Sequence, residues 1–335
     1  MTFFLGLIFL LIKLGVILGV LLLWVSYMVY MERKVLARLQ IRLGPNRAGP
    51  FGLLQPIADA VKLLTKEDLA VAGTDRAVFY LAPSIAAATA LLIFAVVPFG
   101  REFTLAGRTI PLVIADLHAG LLYALGLSTL GVYSVALGGW SSNSKYSLLG
   151  GIRGVAQMIS YELSLGLSLV PIVMMAGSFS LVGIVEAQSG YPFVLVQPVA
   201  FTIFFLSAVA EIKRIPFDLP EGENELVAGY HTEYSGMRFG LFFLGEYMTM
   251  VILGSLVAVF FLGGWRGPLL PPVIWFVIKV LGVAFVMIWI RATFPRLRYD
   301  QFMNLGWKVL VPVSLVNIVV TGGLMLLWRS RILGY

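Results

Sequence analysis

Three glutamates interrupt long apolar runs: Glu162 in QMISYELSLG, Glu211 at the end of FTIFFLSAVAE, and Glu246 in FFLGEYM. A carboxylate inside hydrocarbon is costly and marks either a pathway or a pair. Glu211 also opens the stretch EIKRIPFDLPEGENELVAGYHTEY, which gathers Glu211, Asp218, Glu221, Glu223, Glu225 and Glu233 out of 17 acidic residues in the chain. Crowded, partly desolvated carboxylates hold protons near neutral pH, so this set has the chemistry of a proton path. The competing reading is that each buried glutamate is neutral, or paired with a lysine, and only joins helices. Lys13 and Lys279 are the intramembrane cations available for that, and the sequence assigns no partner to either. The two histidines, His118 and His231, are too few for a zinc or haem site, and with no cysteine there is no iron–sulfur ligation or disulfide. The chain therefore carries no metal or redox centre of its own, and His118 reads as an interfacial residue.

The elements that position these groups are membrane helices. Charged residues make up 12% of the 335 and hydrophobic residues 59%, about half the charge of a soluble domain. Apolar runs of about 20 residues recur, long enough to cross a ~30 Å hydrocarbon layer. The predicted fold is all-α, a single polytopic membrane domain over 1–335. Its eight spans lie near 3–30, 77–99, 119–140, 155–176, 197–211, 239–262, 271–291 and 306–328. The first run lacks a basic leader and a small-residue cleavage site, so it reads as a span. Odd-numbered connections hold 17 Lys and Arg against 3 in the even-numbered ones. The positive-inside rule then puts the odd connections in the cytoplasm and both termini outside. No connection exceeds the 46 residues of 31–76, too few for a soluble catalytic domain.

Within 31–76, Leu54, Ile57, Val61 and Leu64 recur at helical spacing while Asp59, Lys62 and Lys66 share another face, which predicts an amphipathic helix at the membrane surface. Glu162 and Glu246 each fall about eight residues into their spans, roughly 12 Å deep and at matching depth. Glu211 closes a short span near the hydrocarbon boundary. Pro216 and Pro220 force a turning backbone at the start of the acidic connection. Its Phe217, Leu219, Leu226, Val227, Tyr230 and Tyr234 suit a segment buried beneath a partner protein.

Four long stretches carry a resemblance. ERKVLARLQIRLGPNRAGPFGLLQPIADAVKLLTKED (32–68), GWSSNSKYSLLGGIRGVAQMISYELSLGLS (139–168), RIPFDLPEGENELVAGYHTEYSGMRFGLFFLGEY (214–247) and RATFPRLRYDQFMNLGWKVLVP (291–312) resemble the H-subunit family of proton-pumping NADH–quinone oxidoreductase, respiratory complex I, the bacterial counterpart of mitochondrial NADH dehydrogenase subunit 1. The resemblance covers essentially the whole chain. It implies eight membrane helices at the heel of the complex, forming much of the chamber through which quinone enters from the bilayer. It implies no cofactor on this chain, with FMN and iron–sulfur clusters on cytoplasmic partners that reduce the quinone. Other membrane subunits, lipid and quinone complete the partners, with no nucleic acid, and the location is the bacterial inner membrane. Residue by residue, Arg33 and Asp59 match chamber positions, with Lys62 close by and Arg42 and Arg47 in the same loop. Asp218, Glu221, Glu223 and Glu225 match the acidic loop beneath the cavity, and Glu211, Glu162 and Glu246 match carboxylates that link it to the pumping arm. The chain departs from the family at Glu211-Ile212-Lys213-Arg214, where Glu-Thr-Asn-Arg is usual.

Two other readings stay open from the residues alone. One is the quinone-side or anchor subunit of a related complex fed by ferredoxin or hydrogenase, which would share these motifs. The other is a free-standing cation/proton antiporter, which would ordinarily show an inverted repeat that is not visible here.

Overall fold

The computed structural model describes residues 2–105 and 108–333, with side chains described outside 2–12, 103–110, 223–224 and 328–333. The described chain is almost wholly helical, in the order α1 Thr2–Leu39, α2 Gln55–Thr65, α3 Arg76–Ile93, a hairpin of β1 Glu102–Leu105 and β2 Arg108–Pro111, α4 Gly120–Ser141 and α5 Lys145–Ala176. There follow α6 Leu181–Ala187, α7 Phe193–Val196, α8 Pro198–Glu211, α9 Glu223–Leu226, α10 Gly236–Phe261, α11 Pro272–Thr293, α12 Tyr299–Asn304 and α13 Val311–Leu333. Among the described residues, seven helices, the last running from α12 through a π-helical turn into α13, are long and apolar enough to cross a membrane. The eighth expected span, α8, is apolar but has only 14 residues, about 20 Å of helix.

The core is built around α10, in which every residue from Met250 to Phe261 is buried, as expected for a helix that is apolar all round. Close helix approach relies on small residues. A Cβ on Gly245 of α10 would lie 3.1 Å from the Ala86 carbonyl oxygen of α3, and one on Gly139 of α4 would lie 2.6 Å from the Ser147 carbonyl oxygen of α5.

Connections collect at two opposite faces. On one, Leu297 N–H donates to the Pro216 carbonyl at 3.0 Å, Arg153 pairs with Glu225, and Arg238 pairs with Asp68, so all four lysine- and arginine-rich connections meet. On the other, Lys13 Nζ donates to the carbonyls of Pro111 and Val113 at 3.1 and 2.9 Å, and Ser180 Oγ donates to Asp116 at 2.8 Å. His118 is exposed on this second face.

Four boundaries differ clearly from expectation: α3 ends at Ile93 rather than 99, the last span begins at Tyr299 rather than 306, and two shifts are larger. Helix α1 continues to Leu39, beyond the predicted end at 30, and α5 begins at Lys145 rather than 155. The early turns of α5 are held by the 211–238 connection, where a Cβ on Gly150 would meet Gly229 Cα at 2.7 Å. Glu162 consequently lies more than four turns along α5, whereas Glu246 lies fewer than three turns along α10. Equal distance from the helix starts does not hold.

Candidate functional site: two cavities divided by α10

The second half of α1, the surface helix α2 and the first turns of α10 enclose an open cavity of about 420 Å³. Its wall is largely apolar and aromatic, with Val29, Phe243 and Tyr247, and its polar groups are Arg33, Asp59 and Lys62. Arg33 Nη1 donates to Asp59 Oδ2 at 2.7 Å, and Gln55 Nε2 donates to Asp59 Oδ1 at 3.0 Å. The α2 side chains Ile57, Val61 and Leu64 are more than half exposed, the outward apolar face its spacing predicts. An apolar cleft with a few convergent polar groups fits an amphiphile with a polar head. Arg42 and Arg47 are exposed and do not line it; Arg42 Nε donates instead to Gln40 at 2.7 Å.

Behind this chamber, charges are paired. Arg214 donates through Nε to Glu246 and through Nη1 to Glu32, while Arg291 Nη1 donates to the other Glu32 oxygen. The guanidinium carbon of Arg214 lies 4.1 Å from the centre of the Tyr247 ring. Glu32 is 2% exposed and Arg214 7%. Charges this deep persist only when paired and hydrogen-bonded. Glu246 is thus held by an arginine, a partner the sequence does not assign.

A second, smaller cavity of about 60 Å³ lies on the other side of α10, lined by Ser128, Glu211, Lys213, Tyr230, Glu246 and Thr249 among others. That volume has room for a few waters, and the lining offers them partners. Two adjacent hydroxyls of α4 hold two carboxylates: Ser128 donates to Glu211 and Thr129 donates to Glu162. The second Glu211 oxygen, Oε2, is buried with no hydrogen-bond partner. Neighbouring residues of α10 face different cavities, Tyr247 the chamber and Glu246 the inner one.

The acidic connection divides in the same way. Glu225 points outward, with Arg153 Nη1 at 2.5 Å and Arg296 at 3.9 Å, and the Arg153 hydrogen bond holds its carboxyl below the usual range. Asp218 and Glu221 turn inward. Burial pushes Asp218 up to about 6, against the pull of Arg296. Burial, with repulsion from Glu246 and Asp218, pushes Glu221 up to about 8. Burial also pushes His231 down to about 4, so it is neutral in the range where these acids titrate. The Glu223 side chain lies outside the described residues.

The connection folds onto its own chain. Phe217, Leu219, Leu226, Tyr230 and Tyr234 are all buried here, and only Val227 is largely exposed, so intramolecular packing accounts for the apolar residues expected beneath a partner. Gly229 is indispensable to this closure: at φ 58°, a Cβ would lie 1.7 Å from the Pro220 carbonyl oxygen. Gln157 Nε2 clamps the start of the connection by donating to the carbonyls of Ala210 and Phe217 at 2.7 and 2.8 Å.

The sequence reading misses Glu32, Arg214 and Arg291. Their only local signal is a charge at the edge of a span, indistinguishable from the basic flanks that orient a membrane protein. Lys279, a candidate partner for the glutamates, instead donates to the carbonyls of Leu262, Gly264 and Arg266 at 2.6, 2.8 and 2.6 Å, closing the C-terminal end of α10.

Comparison with known proteins gives one consistent result. Residues 12–322 match the NADH dehydrogenase family. The chain is 69% identical over 326 residues to an H subunit of NADH-quinone oxidoreductase, the second of that name, from Syntrophobacter fumaroxidans, covering 97% of this chain and 98% of the relative. Identity is 63% to the corresponding second H subunit of Geobacter sulfurreducens, over 92% and 94% of the two chains. It is 52% to the NADH-quinone oxidoreductase H subunit of Thermomicrobium roseum, over 93% and 94%.

Proposed function

Because the chain belongs to the H-subunit family of NADH-quinone oxidoreductase, and is thus a multi-pass membrane subunit of respiratory complex I, we propose that it forms much of the quinone chamber and couples quinone reduction to proton movement. The observation that carries this reading is the shared wall. Tyr247 lines the chamber and stacks on Arg214, Arg214 holds Glu246, and Glu246 lines the inner cavity beside Glu211. A charge change in one cavity therefore acts on the other across a few side chains.

The quinone tail lies along the apolar wall of the chamber and the headgroup passes Arg33, Asp59 and Lys62. Quinone reduction takes up two electrons, delivered by flavin and iron–sulfur groups of partner subunits, and two protons. A transient anionic headgroup about 8 Å from a carboxyl, at an effective dielectric of about 20, favours its protonated form by roughly 2 kcal/mol. That is enough to redistribute protons among Glu221, Asp218 and Glu211, and from Glu211 through the Ser128–Thr129 pair to Glu162. The face bearing α2 is cytoplasmic, in keeping with its excess of Lys and Arg, and both termini lie outside, in a bacterial inner membrane.

A photoreactive quinone analogue tests the chamber in the intact complex. The adduct is expected on peptides spanning residues 25–33, 56–64 or 237–247. Adducts only elsewhere on this chain, or none that a quinone-site inhibitor suppresses, would overturn the assignment.

A further inference from the structure

Lys213 is the one cation among the described residues that lines the inner cavity, and it has a backbone to match. Its φ of 61° lies in the left-handed region, which a lysine occupies at a cost of roughly 1 kcal/mol. The strained turn comes directly after α8, beside Glu211, and sets the ammonium among groups from three other elements. Tyr230 Oη is 3.4 Å from Nζ, and the ring centre of Tyr230 is 4.9 Å from it. Glu211 at the end of α8, Glu221 in the acidic connection and Glu246 in α10 all act on it electrostatically. The remaining charged neighbour is Arg214, which already has Glu32 and Glu246. His231, in the same turn as Tyr230, is neutral in the relevant range. Yet Lys213 forms no ion pair with any described carboxylate, in contrast to Arg214 one residue on.

An unpaired ammonium in a cavity with room for water, within reach of three carboxylates, is poorly explained as glue. We infer that Lys213 is a counter-charge shared among Glu211, Glu221 and Glu246, and that it sets the pH range over which Glu211 and Glu221, the two of these not held by an arginine, carry protons. The inference rests on the proton-path reading above and adds a positioning residue to it. Burial lowers the proton affinity of the ammonium, and the three carboxylates restore part of it, so the charge is itself sensitive to how many of them are ionised. Each carboxylate that takes a proton weakens the hold on the lysine proton, and the lysine in turn limits how tightly the acids bind theirs.

The test uses the intact complex in inverted membrane vesicles, with protons pumped per NADH oxidised followed from pH 6 to 9. Lys213→Met and Lys213→Asn remove the charge, and asparagine tolerates the left-handed backbone, so the second variant stands if the first fails to assemble. Lys213→Arg keeps the charge. The pumping profile is expected to move towards alkaline pH by roughly one unit in Lys213→Asn and Lys213→Met, and to stay in place in Lys213→Arg. Unshifted profiles in the neutral variants, a uniform loss of pumping at every pH, or an equal shift in Lys213→Arg would each overturn the inference. Glu211→Gln is the companion control. If it abolishes pumping while the lysine variants show no shift, only the role of Lys213 falls; if it pumps normally, the proton-path reading itself falls.

Discussion

The carboxylates behind the chamber and those held by α4 are bound in opposite ways. Glu32 and Glu246 accept hydrogen bonds from guanidinium groups, permanently charged and geometrically matched, whereas the hydrogen bonds to Glu211 and Glu162 come from the hydroxyls of Ser128 and Thr129. A carboxylate bound to arginine is held by strong, charge-assisted hydrogen bonds and acts as structure. One bound to a hydroxyl keeps a choice, because a hydroxyl donates to the anion and accepts from the acid with little rearrangement. Charge storage and charge transfer are thus separated by the choice of neighbour, one helix apart.

The contrast breaks most visibly if Arg214 is replaced. Arg214→Met leaves two buried carboxylates with only Arg291 between them, and should cost about 3–5 kcal/mol. Assembly of the complex, scored by native gel and thermal inactivation, should fall sharply, and adding Glu246→Gln should recover part of it. Glu211→Gln should do the reverse: pumping per NADH drops severalfold or more while thermal stability stays within about 1 kcal/mol of the parent. Should Glu211→Gln unfold the subunit as Arg214→Met does, the proposed division of labour is wrong.

A subtler effect concerns pH. The folded Glu221 carboxyl titrates near 8, above its unfolded value, so the folded chain binds the extra proton and stability falls as pH rises from about 4.5 towards 8. Glu221→Gln should flatten that part of the curve of inactivation temperature against pH; an unchanged slope would place the titrating group elsewhere. Smallest of all, Glu225→Gln removes only the charge from half-exposed pairs with Arg153 and Arg296 and should change stability by about 0–1 kcal/mol.

The sequence yields what depends on local period and composition. Seven of the spans, the outward apolar face of α2 and the gathering of basic connections on one face all follow from such patterns. Arg33, Asp59 and Lys62 are placed by resemblance and do come together, because α2 folds back along α1 after the Gly44–Pro50 turns. What stays hidden is long-range. Nothing near Glu246 announces Arg214, 32 residues away. The early start of α5 is concealed by Gly150 and Gly151, poor helix formers on which the 211–238 connection and α4, respectively, pack closely. The β1–β2 hairpin also escapes the sequence, being too short for alternation to stand out from the flanking apolar runs.

The Glu32 cluster carries a consequence for the order in which the chain is made. Synthesis proceeds from the N-terminus, so α1 is in the membrane well before its partners exist. Arg214 and Arg291 follow Glu32 by 182 and 259 residues. Until they arrive, the carboxylate lacks the two guanidinium groups that later neutralise it and stays hydrated at the rim of the bilayer, beside Arg33 and Lys34 at the basic end of α1. The ion cluster is therefore among the last contacts to close, and its closure reports that the first helix, the acidic connection and α11 have all reached their final positions.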